Sequence, residues 1–202
     1  MILMILVVNG EEKKVDSSKF RTLGDLLNDL RKEEQNQVVK RIVVNGVEVP
    51  LSRLDEAKEI ELREDLVVEI TFESLKAFLM ETIEEVLNYI SKAKALLSSV
   101  ADVIVKGTPE SYKTIHDLAE GLNAIENVRM NTVRITGITS EELGLKVKEE
   151  ELVSILNEFV EVLQARDLIK VADLVDEKLP TVFGYYEDFF TKARELLRET
   201  YS

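Results

Sequence analysis

Cysteine and tryptophan are absent from this 202-residue sequence, and proline and glycine are scarce, with three and eight residues. The lack of cysteine excludes disulfide bonds, thiolate nucleophiles, zinc–thiolate sites and iron–sulfur clusters. The scattered glycines form neither a G-x-G-x-x-G pattern nor a phosphate-binding loop, so nucleotide binding has no local support. The single histidine, His116, has Lys113 where a carboxylate di-iron bundle needs glutamate. The sequence therefore predicts no cofactor and no metal site.

The charge of the chain is strongly one-sided. Its 39 acidic and 26 basic residues give a formal net charge of −13. Such a surface repels phosphate backbones and anionic lipid, so nucleic-acid and membrane partners are disfavoured. No apolar run approaches the ~20 residues of a membrane-spanning helix. The apolar segment Met1–Val8 lacks a preceding Lys or Arg and leads into Asn-Gly, so it is interpreted as a buried strand, and a cytoplasmic location is expected.

Two Asn-Gly pairs organise the first 72 residues. Asn9-Gly10 and Asn45-Gly46 supply the positive φ angles of tight hairpin turns. The apolar segments before the pairs predict two inner strands, and the segments after them predict antiparallel partners. Leucines at helical spacing between the hairpins predict one helix. The predicted elements are five strands around this helix: strands Leu3–Val8 and Glu11–Asp16, helix Thr22–Glu34, and strands Val39–Val44, Val47–Val49 and Leu66–Phe72.

This part of the chain resembles the β-grasp, ubiquitin-like sulfur carriers of thiamine and molybdopterin synthesis. The similar segments are Val8-Asn9-Gly10-Glu11-Glu12, Thr22-Leu23-Gly24-Asp25-Leu26-Leu27 and Val44-Asn45-Gly46-Val47-Glu48-Val49-Pro50. The resemblance covers about residues 4–72 and implies a β-grasp fold. Sulfur carriers act through a free C-terminal Gly-Gly, whereas this chain continues through Thr71-Phe72-Glu73-Ser74-Leu75. We therefore expect the fold without the carrier chemistry.

From Glu73 onward the apolar spacing becomes helical. An apolar seam in alternating four- and three-residue steps predicts one long helix packed in a bundle or coiled coil. Its members are Leu79, Ile83, Val86, Ile90, Ala93, Leu97, Val100 and Ile104. Gly107 ends this helix, and Thr108-Pro109 predicts the start of a second one, which runs to about Thr136.

Two further helices complete the predicted bundle. The third spans about Glu149–Ala165, and the fourth follows an N-cap at Asp167, is kinked or broken at Pro180 and continues to about Arg198. The predicted fold class is thus α+β, a β-grasp-like mixed sheet with one helix followed by an antiparallel bundle of about four helices. The predicted domains are residues 1–72 and residues 73–202.

An aromatic group near the C-terminus is the candidate site. Five of the twelve aromatic residues fall within eight positions: Phe183, Tyr185, Tyr186, Phe189 and Phe190. Together they cover more of a helix than one bundle-facing stripe needs. They are interpreted either as aromatics that plug the end of the bundle, with Tyr185 partly exposed, or as a partner-binding surface. No catalytic residue is predicted, and acidic pairs such as Glu84-Glu85 are interpreted as solvated surface.

The function that the sequence favours is that of a non-enzymatic interaction, adaptor or assembly protein. Its expected partner is an unknown protein or a second copy of the chain. One alternative is a helical, chaperone-like protein that binds a partner's amphipathic helix, which an open apolar groove between two helices would favour. The other is an enzyme or metal protein with acidic residues in the cleft between the two domains.

Overall fold

The computed structural model describes residues 3–33, 36–63 and 65–200. Over these residues the chain is α+β, with a five-stranded mixed sheet followed by a helical region. The chain divides into two compact units, Met1–Phe78 and Leu79–Ser202, which are called the sheet unit and the helical unit below. No helix within the described ranges is long and apolar enough to cross a bilayer.

The sheet unit follows the predicted order of elements. These are β1 (Leu3–Val8), β2 (Glu11–Asp16), α1 (Leu23–Glu33), β3 (Gln37–Val44), β4 (Val47–Val49), the short α2 (Leu54–Ala57) and β5 (Val67–Ser74). The strand order is β2-β1-β5-β3-β4, so β1 and β3 are both inner strands, as predicted. β1 is parallel to β5, and the other pairs are antiparallel. The helix α2 was not predicted, and the predicted end of α1 at Glu34 lies outside the described residues.

One face of the sheet packs against α1. The leucines of α1 at positions 23, 26, 27 and 30 are buried with alternate residues of β1 and β5. In β1, Met4, Leu6 and Val8 face this core, whereas Ile5 points to the other face and is 37% exposed. The apolar run of β1 is therefore buried on one side only, because a strand presents alternate side chains to opposite faces.

Both hairpin asparagines tie their turns to β5. Asn9 and Asn45 have φ angles of 50° and 49°, in the left-handed region. The Phe72 amide donates to the side-chain oxygen of Asn9 at 2.7 Å, and the Val67 amide donates to that of Asn45 at 2.8 Å. Each asparagine therefore supplies both the turn conformation and a hydrogen bond that fixes the turn against the central strand.

The helical unit is built from five helices in the described residues. They are α3 (Leu75–Ile104, which begins in the sheet unit), α4 (Pro109–Thr136), α5 (Lys146–Gln164), α6 (Leu168–Glu177) and α7 (Leu179–Thr200). Asp167 caps α6 by accepting a hydrogen bond from the Lys170 amide, as its position predicts. The predicted fourth helix is interrupted beside Pro180 and so appears as α6 and α7. α5 begins at Lys146, three residues before the predicted start at Glu149.

The helix α7 lies at the centre of this unit. Its buried residues fall on several sides of the helix: Leu179, Val182, Phe183, Tyr185, Tyr186, Phe189, Phe190, Ala193 and Leu197. It packs against α4, α5 and α6, and its Arg194 forms an ion pair with Glu84 of α3 at 2.8 Å. A helix surrounded in this way needs apolar side chains around much of its circumference.

Candidate functional site

All five aromatic residues of the candidate group are buried. Phe183, Tyr186, Phe189 and Phe190 are at most 1% exposed, and Tyr185 is 2% exposed. The predicted partial exposure of Tyr185 is therefore wrong. The reason is the central position of α7, since the neighbouring stripes that carry the aromatics face different helices of the same unit.

The aromatic rings pack against one another in the edge-to-face manner that ring quadrupoles favour. The rings of Phe189 and Phe190 are perpendicular with centroids 5.4 Å apart, and those of Tyr185 and Tyr186 are also 5.4 Å apart at 69°. Phe189 further lies 5.7 Å from the guanidinium carbon of Arg129. The group thus forms part of the core, and a partner could reach it only if the helical unit opened.

A polar network joins the tyrosines of this core to two other helices. Arg129 on α4 donates to Glu126 through Nε at 2.8 Å and Nη2 at 2.7 Å. Its Nη1 donates to Glu149 of α5 at 3.2 Å. The Tyr186 hydroxyl donates to Glu126 at 3.0 Å, and the Tyr185 hydroxyl donates to Glu149 at 3.3 Å. The network therefore fixes α4, α5 and α7 relative to one another.

The electrostatics of the network keep its phenols protonated. Burial is the larger cause of the raised pKa of Tyr186, and the nearby carboxylate of Glu126 raises this pKa further. Burial also raises the pKa of Tyr185. The hydrogen bond with Glu126 raises the pKa of Arg129. A tyrosine is already protonated at neutral pH, so the raised pKa values extend to alkaline pH the range in which the phenols donate hydrogen bonds to Glu126 and Glu149.

The remaining polar candidates lie on the surface. His116 Nε2 is 3.4 Å from Glu120, and both side chains are 69% exposed. Glu84 is paired with Arg194, and Glu142 accepts a hydrogen bond from the Thr139 amide. Among the residues that the structure describes, no three His, Asp or Glu side chains are grouped as metal ligands.

An open groove between α3 and α4 is the site that the structure adds. Its volume is about 530 Å³. The lining residues come from both helices: Glu85, Val86, Tyr89, Asp117, Glu120, Gly121, Ala124, Ile125 and Val128. Ile125 is 2% exposed and forms the apolar floor, whereas Tyr89 is 46% exposed and forms part of one wall.

The α3 wall of the groove continues as an apolar stripe. The predicted seam of α3 divides into two rows. In the first, Ile83, Ile90, Leu97 and Ile104 are buried. In the second, Leu79 is buried, while Val86, Ala93 and Val100 are only half-buried. Tyr89 and Leu96, which is 56% exposed, alternate with the second row in three- and four-residue steps. This spacing is typical of a helix face that packs against another helix, and within the described residues it is left partly uncovered.

Gly121 makes room for Tyr89 in the groove. A Cβ atom at Gly121 would lie 2.1 Å from the Tyr89 hydroxyl oxygen. The Tyr89 side chain therefore reaches from α3 to the backbone of α4, at a point where only glycine permits the approach.

The rim of the groove is negatively charged. Glu85, Asp117 and Glu120 are exposed around the apolar floor. In the described part of the chain, Glu85 and Asp117 have no hydrogen-bond or ion-pair partner, whereas Glu120 is near His116. The groove therefore combines an apolar floor with free carboxylates.

The groove is not among the sites that the sequence predicts. The apolar spacing places Val86 in the packed seam, and no motif marks Tyr89, Gly121 or Ala124. One signal was present in the sequence, namely the additional apolar positions Tyr89 and Leu96 beside the predicted seam. Their spacing could have indicated a second apolar face on α3.

Comparison with known proteins gives two family matches. Residues 81–188, more than half of the chain, match the family model described as a domain of unknown function (DUF8042). Residues 4–74 match the model described as the TP0873 N-terminal domain. No match was found among the curated proteins or among the solved structures. The groove and the polar network both lie within the first matched region.

Proposed function

We propose that this chain, which belongs to the family described as a domain of unknown function (DUF8042), is a non-enzymatic interaction protein. Its α3–α4 groove binds an amphipathic helix of a partner protein. The observation that carries the proposal is the groove itself, an apolar floor between two helices with unpaired carboxylates on its rim. Helix-in-groove recognition uses apolar anchors at i, i+3, i+4 and i+7, which the stripe on α3 complements.

Charge selects the kind of helix that the groove accepts. The exposed carboxylates of Glu85 and Asp117 favour a cationic partner, so a helix with Lys or Arg flanking its apolar stripe is the best complement. A second copy of this chain carries the same net charge of −13, which opposes self-association through an acidic groove. The proposed occupant is therefore a basic amphipathic helix from another protein.

Fluorescence anisotropy with two labelled peptides tests the proposal. Both are amphipathic helices of about five turns with a leucine face, and the polar face is lysine in one and glutamate in the other. The lysine peptide is expected to bind and the glutamate peptide is not. Ala124→Arg places a bulky cation in the groove and should weaken binding of the lysine peptide by about tenfold, or about 1.4 kcal/mol.

A matched variant separates groove binding from general attraction to an acidic surface. Ala119 is also an exposed alanine of α4 but does not line the groove. Ala119→Arg changes the net charge by the same amount, and we expect it to leave affinity within about twofold, since interface energy is concentrated at a few positions. Equal weakening by both variants would contradict the proposal. So would a wild-type dimer in light scattering that Ala124→Arg converts to monomers.

For the sheet unit we propose a ubiquitin-like relationship without sulfur-carrier activity. Support comes from the two Asn-Gly hairpins around α1 and from the course of β5. Thr71–Ser74 still belong to β5, and Leu75 begins α3. The main chain therefore continues at the point where a carrier ends in Gly-Gly with a C-terminal carboxylate. Incubation with ATP and an enzyme that adenylates sulfur carriers should leave the intact mass of the protein unchanged, and a mass shift from thiocarboxylate formation would contradict this.

The proposed location of the protein is the cytoplasm.

A further inference from the structure

A second cavity in the helical unit lies away from the groove. It has a volume of about 370 Å³, within the size range of small-molecule sites, and it lies where α4, the end of α5 and the start of α6 meet. Its lining residues are Tyr112, Ile115, Leu163, Arg166, Leu168 and Val171. Four of the six are aliphatic, and Arg166 is the one charged residue of that set.

The backbone of Arg166 is unusual for its position. Arg166 follows the last turn of α5 with φ at 55°, a conformation that glycine or asparagine normally supplies at a helix C-terminus. A side chain with a Cβ is strained there. The sequence nevertheless places at this point a long cation that lines the cavity, which a glycine could not do.

The guanidinium of Arg166 is available to a ligand. Among the described residues, neither it nor the Tyr112 hydroxyl has a hydrogen-bond partner. The adjacent carboxylate of Asp167 is already engaged, since one oxygen accepts from the Lys170 amide at 3.2 Å and the other lies 3.5 Å from Lys170 Nζ. The aliphatic cavity therefore has an unpaired cation and an unpaired hydroxyl at its wall.

We propose that this cavity binds a medium-chain aliphatic carboxylate. The alkyl tail packs against the half-buried aliphatic side chains of Ile115, Leu163 and Leu168 in the cavity wall. The carboxylate accepts hydrogen bonds from Arg166, whose planar donors match its geometry. Such a ligand buries its alkyl chain against the apolar wall and pairs its charge with Arg166. A neutral alkane or an alkyl ammonium ion can bury its chain but cannot pair with the guanidinium.

Isothermal titration calorimetry on the full chain tests this, with hexanoate, octanoate, decanoate and decanol below their aggregation limits. Affinity should rise by up to about fourfold per added methylene until the cavity is filled. Decanoate should bind at least about tenfold more tightly than decanol because of the charge-assisted hydrogen bonds. Equal binding of decanol would overturn the proposed role of Arg166.

Arg166→Gly removes the cation and also relieves the strained backbone. This variant should therefore fold at least as well as the wild type while losing about tenfold or more in decanoate affinity. Arg134→Gln is the control, because Arg134 is an exposed arginine of α4 outside the cavity. The decanoate affinity of this variant should stay within about twofold of the wild-type value. Unchanged affinity in Arg166→Gly would overturn the proposal, as would decanoate-induced methyl NMR shifts at Val86 and Ile125 in place of Ile115 and Leu163.

Discussion

Replacement of Phe189 by alanine probes the core of the helical unit most directly. Phe189 is fully buried, so the truncation removes a large apolar side chain and leaves a cavity, which typically costs about 3–5 kcal/mol. Its ring also packs edge-on against Phe190 at 5.4 Å and lies 6.4 Å from the ring of Tyr185. Each such pair contributes about 0.5–1.5 kcal/mol beyond burial, so the expected loss lies near the upper end, at about 5 kcal/mol.

Urea denaturation followed by tyrosine fluorescence measures this loss in the helical unit alone. All five tyrosines occur at position 89 or later, and the chain has no tryptophan, so the sheet unit contributes no tyrosine signal. For an m value of about 2 kcal/mol/M, a loss of about 5 kcal/mol lowers the midpoint by about 2.5 M. Phe189→Leu retains most of the volume but no ring, and should lose about 1–3 kcal/mol.

An exposed substitution serves as the control, and a small effect would refute the reasoning. Val160 on α5 is 50% exposed, so Val160→Ala should change the unfolding free energy by no more than about 0.5 kcal/mol. If Phe189→Ala cost less than about 1 kcal/mol, the aromatic group would not be the tightly packed core that the burial values describe. If Phe189→Ala also weakened capture of a partner while stability stayed unchanged, the aromatic group would be a partner-binding surface.

Three further outcomes are expected. The pKa of Tyr186 is raised in the folded state, so the protonated phenol contributes its full stability below the unfolded-state pKa of about 10. That stability is lost as pH rises towards the folded-state pKa, at up to about 1.4 kcal/mol per pH unit. Between pH 9 and 11, Tyr186→Phe should therefore lose less unfolding free energy than the wild type, as measured by circular dichroism in urea. Gly121→Ala displaces the Tyr89 hydroxyl and should weaken peptide binding in the groove while thermal stability is unchanged or higher, because alanine favours a helix over glycine by about 1 kcal/mol. Asn9→Gly keeps the turn conformation but removes the hydrogen bond from the Phe72 amide, so hydrogen exchange of that amide should accelerate by about 5- to 30-fold, equivalent to about 1–2 kcal/mol.

Local features of the sequence were sufficient to predict most of the secondary structure. The Asn-Gly pairs place both hairpins, since few residues tolerate the φ angles of Asn9 and Asn45. Thr108-Pro109 marks the start of α4, and Asp167 marks the start of α6. Each of these signals acts within a few residues of the chain, so it can be interpreted without knowledge of the fold. The short helix α2 was missed because its four residues carry no apolar periodicity.

The candidate sites depended on which helices meet, which the sequence did not determine. The aromatic stripes of α7 were compatible with a core or a surface, and only the central position of α7 buries Tyr185. Likewise, the seam of α3 was correct as a periodic pattern, but packing covers the row of Ile90 and leaves Val86 at an open groove. Periodicity gives the direction of a side chain relative to its own helix axis. Whether another helix lies in that direction is set by contacts distant in sequence, and only the tertiary structure supplies them.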